Sequence, residues 1–373
     1  MSHPDAQAQA QAQTQTQDQT QPQSPQHSVQ PPVAAITFWM PALILSFLTI
    51  GLATGAGSVF IAPADCVSIL LHKTLGTELA DGIKVSAVGI VWNLRFPRVL
   101  FAFLAGGALS VSGAVMQSIL KNPLASSFTL GISSGATLGA ALVILGSAYI
   151  PVAASLTVPA AGFIFSALTF FAVMALSRAV DPELDNGTII LTGMVVSLFI
   201  SAALTLLSAF SGQEMNRLLL WQMGSFALKG WPPVYVLLPV AIGGTALVSA
   251  FAGEMDILTF GDEDAQALGV NVKRTKRILI ALSSLLTGCA VAWAGVIGFL
   301  DLAVPHAVRR VVGPGHRALI PLSFFTGGIV MTLADLAART LIPPLDLPVG
   351  AITAVLGAPV LGWIYYRSGR GRR

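Results

Sequence analysis

Stretches of apolar residues with almost no charge recur from about residue 38 to the C-terminus, separated by short polar or glycine-rich breaks. A helix needs about 20 apolar residues to cross a bilayer core, so each long stretch predicts a span. Residues 38–58 and 97–120 are the first two. Residues 122–177 are too long for one helix and divide at the turn over 146–151. Residues 189–210, 234–251 and 278–294 follow, then a shorter piece at 296–308 after the turn at Gly295 and Gly298, and finally 318–338 and 349–366. The pattern predicts an all-α polytopic membrane protein with about ten transmembrane helices over residues 37–373.

Composition agrees: 54% of the 373 residues are hydrophobic and 10% charged, where a soluble domain carries about 25% charged residues. Lipid must be the main solvent. Residues 1–36 are a different material, with the run "AQAQAQAQTQTQDQTQPQSPQHSVQPP". It has too few large apolar groups to offset its ordering entropy, which predicts a disordered, Gln-rich, cytoplasmic tail. It lacks the basic start and short apolar core of a signal peptide, so the first apolar run is expected to stay as an uncleaved helix. Cys66 and Cys289 form no metal-type spacing and read as incidental.

An even number of spans puts both termini on one side. With that side cytoplasmic, thirteen Lys and Arg residues fall inside and seven outside, the bias that the positive-inside rule expects. Arg95 and Arg98, in "WNLRFPRVL", then lie at the outer end of the second helix, where the uncharged run begins. They either anchor that end at the membrane surface or await an acidic partner. Small residues repeat at close to four-residue spacing, as in Gly131, Gly135 and Gly139, or Gly106, Ser110 and Gly113. Such stripes allow close helix packing and are compatible with a helix lining a path.

The chain carries no phosphate-binding G-x-x-x-x-G-K-[ST] loop, no G-x-S-x-G, no H-E-x-x-H and no paired cysteines. Of its histidines, His3 and His27 lie in the tail, and His72, His306 and His316 are scattered. Asp301 and Asp335 are the candidates for buried coupling charges, and Asp335 stands four residues before Arg339, the spacing of a helical ion pair. A large bundle with so little chemistry of its own suggests a subunit driven from outside. The segment "GEMDILTFGDEDAQALGVNVKRTKR" is the longest inner loop. Asp262, Glu263 and Asp264 suit the start of a short helix that Gly269 would stop. That helix either docks a cytoplasmic motor or is a solvated anchor.

Taken in order, these stretches resemble the FecCD-type permeases of ABC importers for ferric siderophores, haem and cobalamin. The resemblance rests on "WNLRFPR", "GGALSVSGAVMQ", "KNPLASSFTLGISSGA", "LTG", "WQMGSF", "GDEDAQALGV", "GVIGFLDLAVPHAVRR", "DLAAR" and "DLPVGAITAVLGAP". It implies a permease fold of ten helices per subunit and a homodimer around one path in the inner membrane. The implied partners are a cytoplasmic ATP-binding subunit dimer and a periplasmic substrate-binding protein; no cofactor, nucleic acid or catalysis by this chain is expected. Gly261, Asp264, Ala265, Leu268 and Gly269 match the helix that couples to the ATP-binding subunit. Arg95, Arg98 and Arg339 match outer arginines that meet glutamates of the binding protein. Gly106, Gly113, Gln117, Asn122, Pro123, Gly131, Gly135, Pro305 and His306 fall in the stretches implied for the path and helix packing, with His306 a packed, hydrogen-bonded structural residue. Asp301 stands where the family usually has glycine and is expected to pair with a nearby arginine; Asp346 replaces the usual glutamate. The expected cargo is a ferric siderophore, with haem or cobalamin as alternatives. The rival class is a proton-coupled secondary transporter that would use Asp301 and Asp335 as carriers.

Overall fold

The computed structural model describes residues 33–57, 59, 61–146, 154–209 and 214–370. Every regular element among them is helical. The helices are α1 (Val33–Gly55), α2 (Pro63–Leu75), α3 (Val85–Ile119), α4 (Ile132–Gly146), α5 (Ala154–Val180), α6 (Asn186–Ala209), α7 (Glu214–Gln222), α8 (Pro232–Ala250), α9 (Ala252–Leu258), α10 (Asp262–Ala267), α11 (Val272–Ala294), α12 (Leu300–Val312), α13 (His316–Thr340) and α14 (Val349–Arg370).

Seven of these are long and apolar enough to cross a bilayer in their described parts: α1, α3, α5, α6, α8, α11 and α13. The other three expected spans coincide with α4 and α12, of 15 and 13 residues, and with α14, whose described apolar part is Val349–Pro359. Nearly all of the expected tail lies outside the described residues, as does most of the expected 146–151 turn; α1 itself begins at Val33.

α3 is the axis of the fold. It packs against α13, α11, α12 and α8, and almost every residue from Val99 to Ile119 has some or all of its surface covered by these neighbours. Small residues make that possible. A Cβ at Gly106 would collide with the Gly327 carbonyl of α13, one at Gly107 with the Phe324 ring, and one at Gly113 with the Asp301 carbonyl of α12. The helices therefore touch backbone to backbone, which is how association gains van der Waals contact where lipid removes the hydrophobic drive. α4 and α5 meet the same way, through Gly135 on Thr169 and Gly139 on Ala161. Large apolar side chains face outward instead, among them Phe47, Phe171 and Phe199, as expected where lipid covers the bundle.

The second span is longer than its sequence pattern indicated. Pro97 looks like a residue of a first helical turn, yet α3 starts three turns earlier, at Val85. A π-helical stretch, Ile90–Arg95, precedes the proline, and the Phe96 N–H reaches back to the Val91 carbonyl. Widening the turn there lets the chain carry a residue that has no N–H and whose ring crowds the preceding turn. It also turns Arg95 and Arg98 toward α1 and α13.

Candidate functional site

Two polar clusters occupy opposite ends of α3. At its C-terminal end stand α9 and α10. α10 starts at Asp262, follows Gly261 (φ +144°) and ends at Ala267, with Leu268 as its C-cap, so it starts two residues before the expected 264–268 segment. Gly269 takes φ +86°, donates its N–H to the Gln266 carbonyl (2.9 Å), and lets the Val270 N–H reach the Ala265 carbonyl (3.0 Å). This is the left-handed stop that glycine supplies without steric cost. Gly261, Asp264, Ala265, Leu268 and Gly269 are thus brought together. Ala265 is buried against Leu258 and Val272, while Asp264 is exposed and Leu268 is 66% exposed, beside an equally exposed Phe260. α10 is held from below and presents an apolar tip.

Two sets of hydrogen bonds hold this segment. Asp262 accepts from Lys121 (3.0 Å) at the end of α3 and from Lys276 (2.5 Å) on α11; Lys276, fully buried, also donates to Asn186 Oδ1 (2.8 Å). Partial burial works to raise the Asp262 carboxyl, but the two ammonium donors outweigh it and hold it below the usual carboxylate range. The second set starts at Asp256 of α9. Its Oδ1 accepts the His316 backbone N–H (3.0 Å) and meets His316 Nδ1 (2.6 Å). The other ring nitrogen, Nε2, lies 2.6 Å from Ser118 Oγ on α3. Ser118 Oγ also takes Arg309 Nη2 (3.1 Å) from α12, and Arg309 Nη1 reaches Gln117 Oε1 (3.3 Å). Gln117 Nε2 in turn donates to the carbonyls of Leu302 (3.1 Å) and Asp301 (3.5 Å) in the first turn of α12. Burial pushes Asp256 up, and the bonds from His316 with the charge of Arg317 bring it down further still, to a net lowering.

The expected structural histidine was His306. It is half-buried and makes no hydrogen bond to the described residues; His316, which no sequence pattern singled out, has both ring nitrogens engaged. The reason is placement: His306 lies mid-α12, where neighbouring groups are apolar or cationic, while His316 opens α13 directly over Asp256.

At the other end of α3 the three arginines are closed in by their own chain. Arg98 forks onto Asp335, with Nε at 3.0 and 3.1 Å from its two oxygens and Nη2 at 2.9 Å, and reaches Asp346 through Nη1 at 3.0 Å. Arg339 lies 3.7 Å from Asp335, the ion pair that their spacing suggested, and donates to the Ala53 carbonyl. Arg95 is 7% exposed and donates to the carbonyls of Gly55 (2.8 Å), Thr54 (3.4 Å) and Val59. A helix leaves its last carbonyls without partners and with partial negative charge, so Arg95 and Arg339 serve as side-chain caps for α1. Of the three, Arg98 reaches a solvent-facing group, Asp346, while Arg95 and Arg339 are turned onto their own chain.

Asp301 also departs from expectation. No arginine pairs with it; the described cations of α12 lie two turns away, and Arg309 is held by Gln117 and Ser118. Its carboxylate is buried at the start of α12, where the Ser126 hydroxyl and the N–H groups of Asp301 and Leu302 face it without reaching hydrogen-bond geometry.

A profile of the FecCD transport family matches residues 43–367, a range that contains both clusters. The chain belongs to that family. It is 38% identical over 330 residues to an uncharacterized ABC transporter permease protein of Bacillus subtilis, YvrB, covering 88% of this chain and 93% of that one. It is 40% identical over 281 residues to the cobalamin import system permease protein BtuC of Halobacterium salinarum (75% and 74% covered). It is 37% identical over 331 residues to the hemin transport system permease protein HmuU of Yersinia pestis (88% and 96%). A solved ABC transporter described as of the metal-chelate type, in an inward-facing conformation, superposes with TM-score 0.77 at 26% identity, over 89% of this chain and 99% of that one.

The protein is thus a multi-pass ABC importer permease, of a family whose members work with ATP-binding and substrate-binding partners and are not themselves catalytic. Within the permease, Gly106, Gly113 and Gly135 are helix-packing positions, and Gly131 (φ +77°) packs on Ser197 of α6 where α4 begins. Gln117 clamps α12 to α3. Asn122 Oδ1 accepts the Leu124 N–H (2.9 Å) and turns the chain at the exposed Pro123. Pro305 is buried inside α12.

Proposed function

We propose that this permease imports a ferric siderophore, as a homodimer in the inner membrane, with the α10 end and both termini cytoplasmic. Its relatives are named for haem, cobalamin and ferric dicitrate, all metal chelates, and the superposed structure is of the metal-chelate type. The observation that carries the reading is the α10 tip. Leu268 and Phe260 stand exposed on either side of a short helix fixed to Lys121 and Lys276 through Asp262, a rigid apolar knob suited to a cleft in an ATP-binding subunit. On the outer side, Asp346 is the solvent-facing member of the arginine cluster, at 41% exposure. A carboxylate on the substrate-binding protein would meet Arg98 by replacing Asp346, while Arg95 and Arg339 stay as caps. The secondary-transport reading loses a carrier, because Asp335 is already held by two arginines.

The test is uptake of labelled ferric siderophore, haem and cobalamin into proteoliposomes, with and without the ATP-binding subunit. The expected result is ferric-siderophore uptake that needs that subunit and is lost in Leu268→Asp. Uptake without it would overturn the ABC assignment of the α10 tip, and uptake of haem or cobalamin alone would overturn the cargo.

A further inference from the structure

The hydrogen bonds from Asp256 to the first turn of α12 do more than satisfy buried groups. They join, in one unbroken sequence, the segment that carries α10 to a short helix packed deep in the bundle. α9 contributes Asp256, α13 contributes His316, α3 contributes Ser118 and Gln117, and α12 contributes Arg309 and the carbonyls of Asp301 and Leu302. Ser118 Oγ accepts from Arg309, and its one hydrogen faces both the Ala114 carbonyl (2.8 Å) and His316 Nε2 (2.6 Å). Asp256 is acceptor-only when ionised. His316 Nδ1 therefore donates to Asp256, Arg309 donates to Ser118 and Gln117, and Gln117 donates to the α12 carbonyls.

α12 is the element such a link would move. It runs only from Leu300 to Val312, between Phe299 at φ +69° and Gly313 at φ +84°, so the chain bends sharply at both ends. It is pinned to α3 at two places, by Gln117 on its first turn and by Gln117 with Ser118 on Arg309 of its last turn. Its first turn also lies directly on Gly113. The contact admits no extra atom, so a displacement of the pair Gln117–Ser118 must displace α12 with it.

Resting on the coupling role proposed for α10, we propose that Asp256, His316, Ser118, Arg309 and Gln117 are positioning residues that transmit the docking state of the ATP-binding subunit to α12. They touch neither ATP nor cargo. Cutting the link should leave the motor bound and running while its work no longer reaches the path. Energetic coupling of this kind typically changes an equilibrium about 5- to 150-fold.

The experiment measures ATP hydrolysis and cargo uptake separately in proteoliposomes holding the full transporter, together with the affinity of the permease for the ATP-binding subunit. Ser118→Ala removes the hydroxyl that both His316 and Arg309 use. His316→Asn keeps a donor near Asp256 and loses the reach to Ser118. Both should bind the ATP-binding subunit and hydrolyse ATP within about twofold of the parent, while uptake per ATP falls at least about fivefold. Ser118→Thr, which keeps the hydroxyl, should restore the ratio. A proportional fall in hydrolysis and uptake, no change in the ratio, or failure of Ser118→Thr to restore it would overturn the link. Failure of the coupling reading itself looks different: the unaltered permease would not bind the ATP-binding subunit, or would transport without it.

Discussion

Removing Arg98 should be far more damaging than its position near a helix end implies. Asp335 is almost wholly buried, and Arg98 supplies it with three contacts at 2.9–3.1 Å; its other cation, Arg339, stands off at 3.7 Å. Arg98→Ala leaves a buried carboxylate with that one distant partner, a loss of about 3–5 kcal/mol by comparison with other broken buried pairs. Asp335→Asn should cost less, about 1–3 kcal/mol, because Arg98 keeps Asp346 and Arg339 keeps the Ala53 carbonyl. Asp346→Asn should cost at most about 1 kcal/mol, since its side chain is 41% exposed and water replaces the guanidinium. Arg98→Lys should fall between, as an ammonium cannot fork onto Asp335 while also reaching Asp346. Replacing both members, Arg98→Met with Asp335→Leu, should recover most of the loss, because the charge burial disappears with the pair. Equilibrium unfolding by detergent titration in mixed micelles reads all five variants on one scale. If Arg98→Ala costs no more than Asp346→Asn, the cluster is not closed on itself and the arginines are free surface charges, as the sequence pattern suggested.

Other expectations follow from single contacts. Gly113→Ala should destabilise by about 1–3 kcal/mol or more, since a Cβ there strikes the Asp301 backbone, whereas Gly243→Ala in open space on α8 should be neutral or gain up to about 1 kcal/mol; the same unfolding titration separates them. Asp301→Asn should not lower stability and should raise it by up to about 3 kcal/mol, because the amide keeps the shape and removes a buried acid that no cation compensates; a lower unfolding midpoint would show a partner for that carboxylate. Asp256 is held below the usual carboxylate value, so its contribution is full above the unfolded value of about 3.9 and is lost as pH falls through the lower folded value. Hydrogen exchange in α9, corrected for intrinsic rates, should therefore stay protected down to about pH 4 and open below it; opening already near pH 6 would contradict the assigned direction.

How much of this was legible in the chain depended on whether a feature was written locally. The apolar runs predicted ten spans, and each has a helix at its place, although α4 and α12 are short. The α10 segment was legible because its acidic start and glycine stop are adjacent in sequence and act through local backbone geometry. The glycine stripes were legible as packing positions, but not their partners: nothing near Gly113 names Asp301, 188 positions later, as the group it must clear. The ion pair of Asp335 with Arg339 follows from helical spacing, yet the stronger pair, Asp335 with Arg98, spans 237 residues and depends on the π-helical turn before Pro97 that aims Arg98 inward. This is why the arginines read as available. A charge at the mouth of an apolar run has the same sequence signature whether it faces a partner or caps the end of a neighbouring helix. The polar link through His316 was hidden although Gln117 and Arg309 lie in family stretches, since its members come from four helices and only the fold joins them. In a bundle with this little charge, each buried polar group has few partners to choose from, so the fold itself selects them. Where those choices form one connected path, as from α9 to α12, the path is a property of the packing. It is readable only once the helices have been brought together.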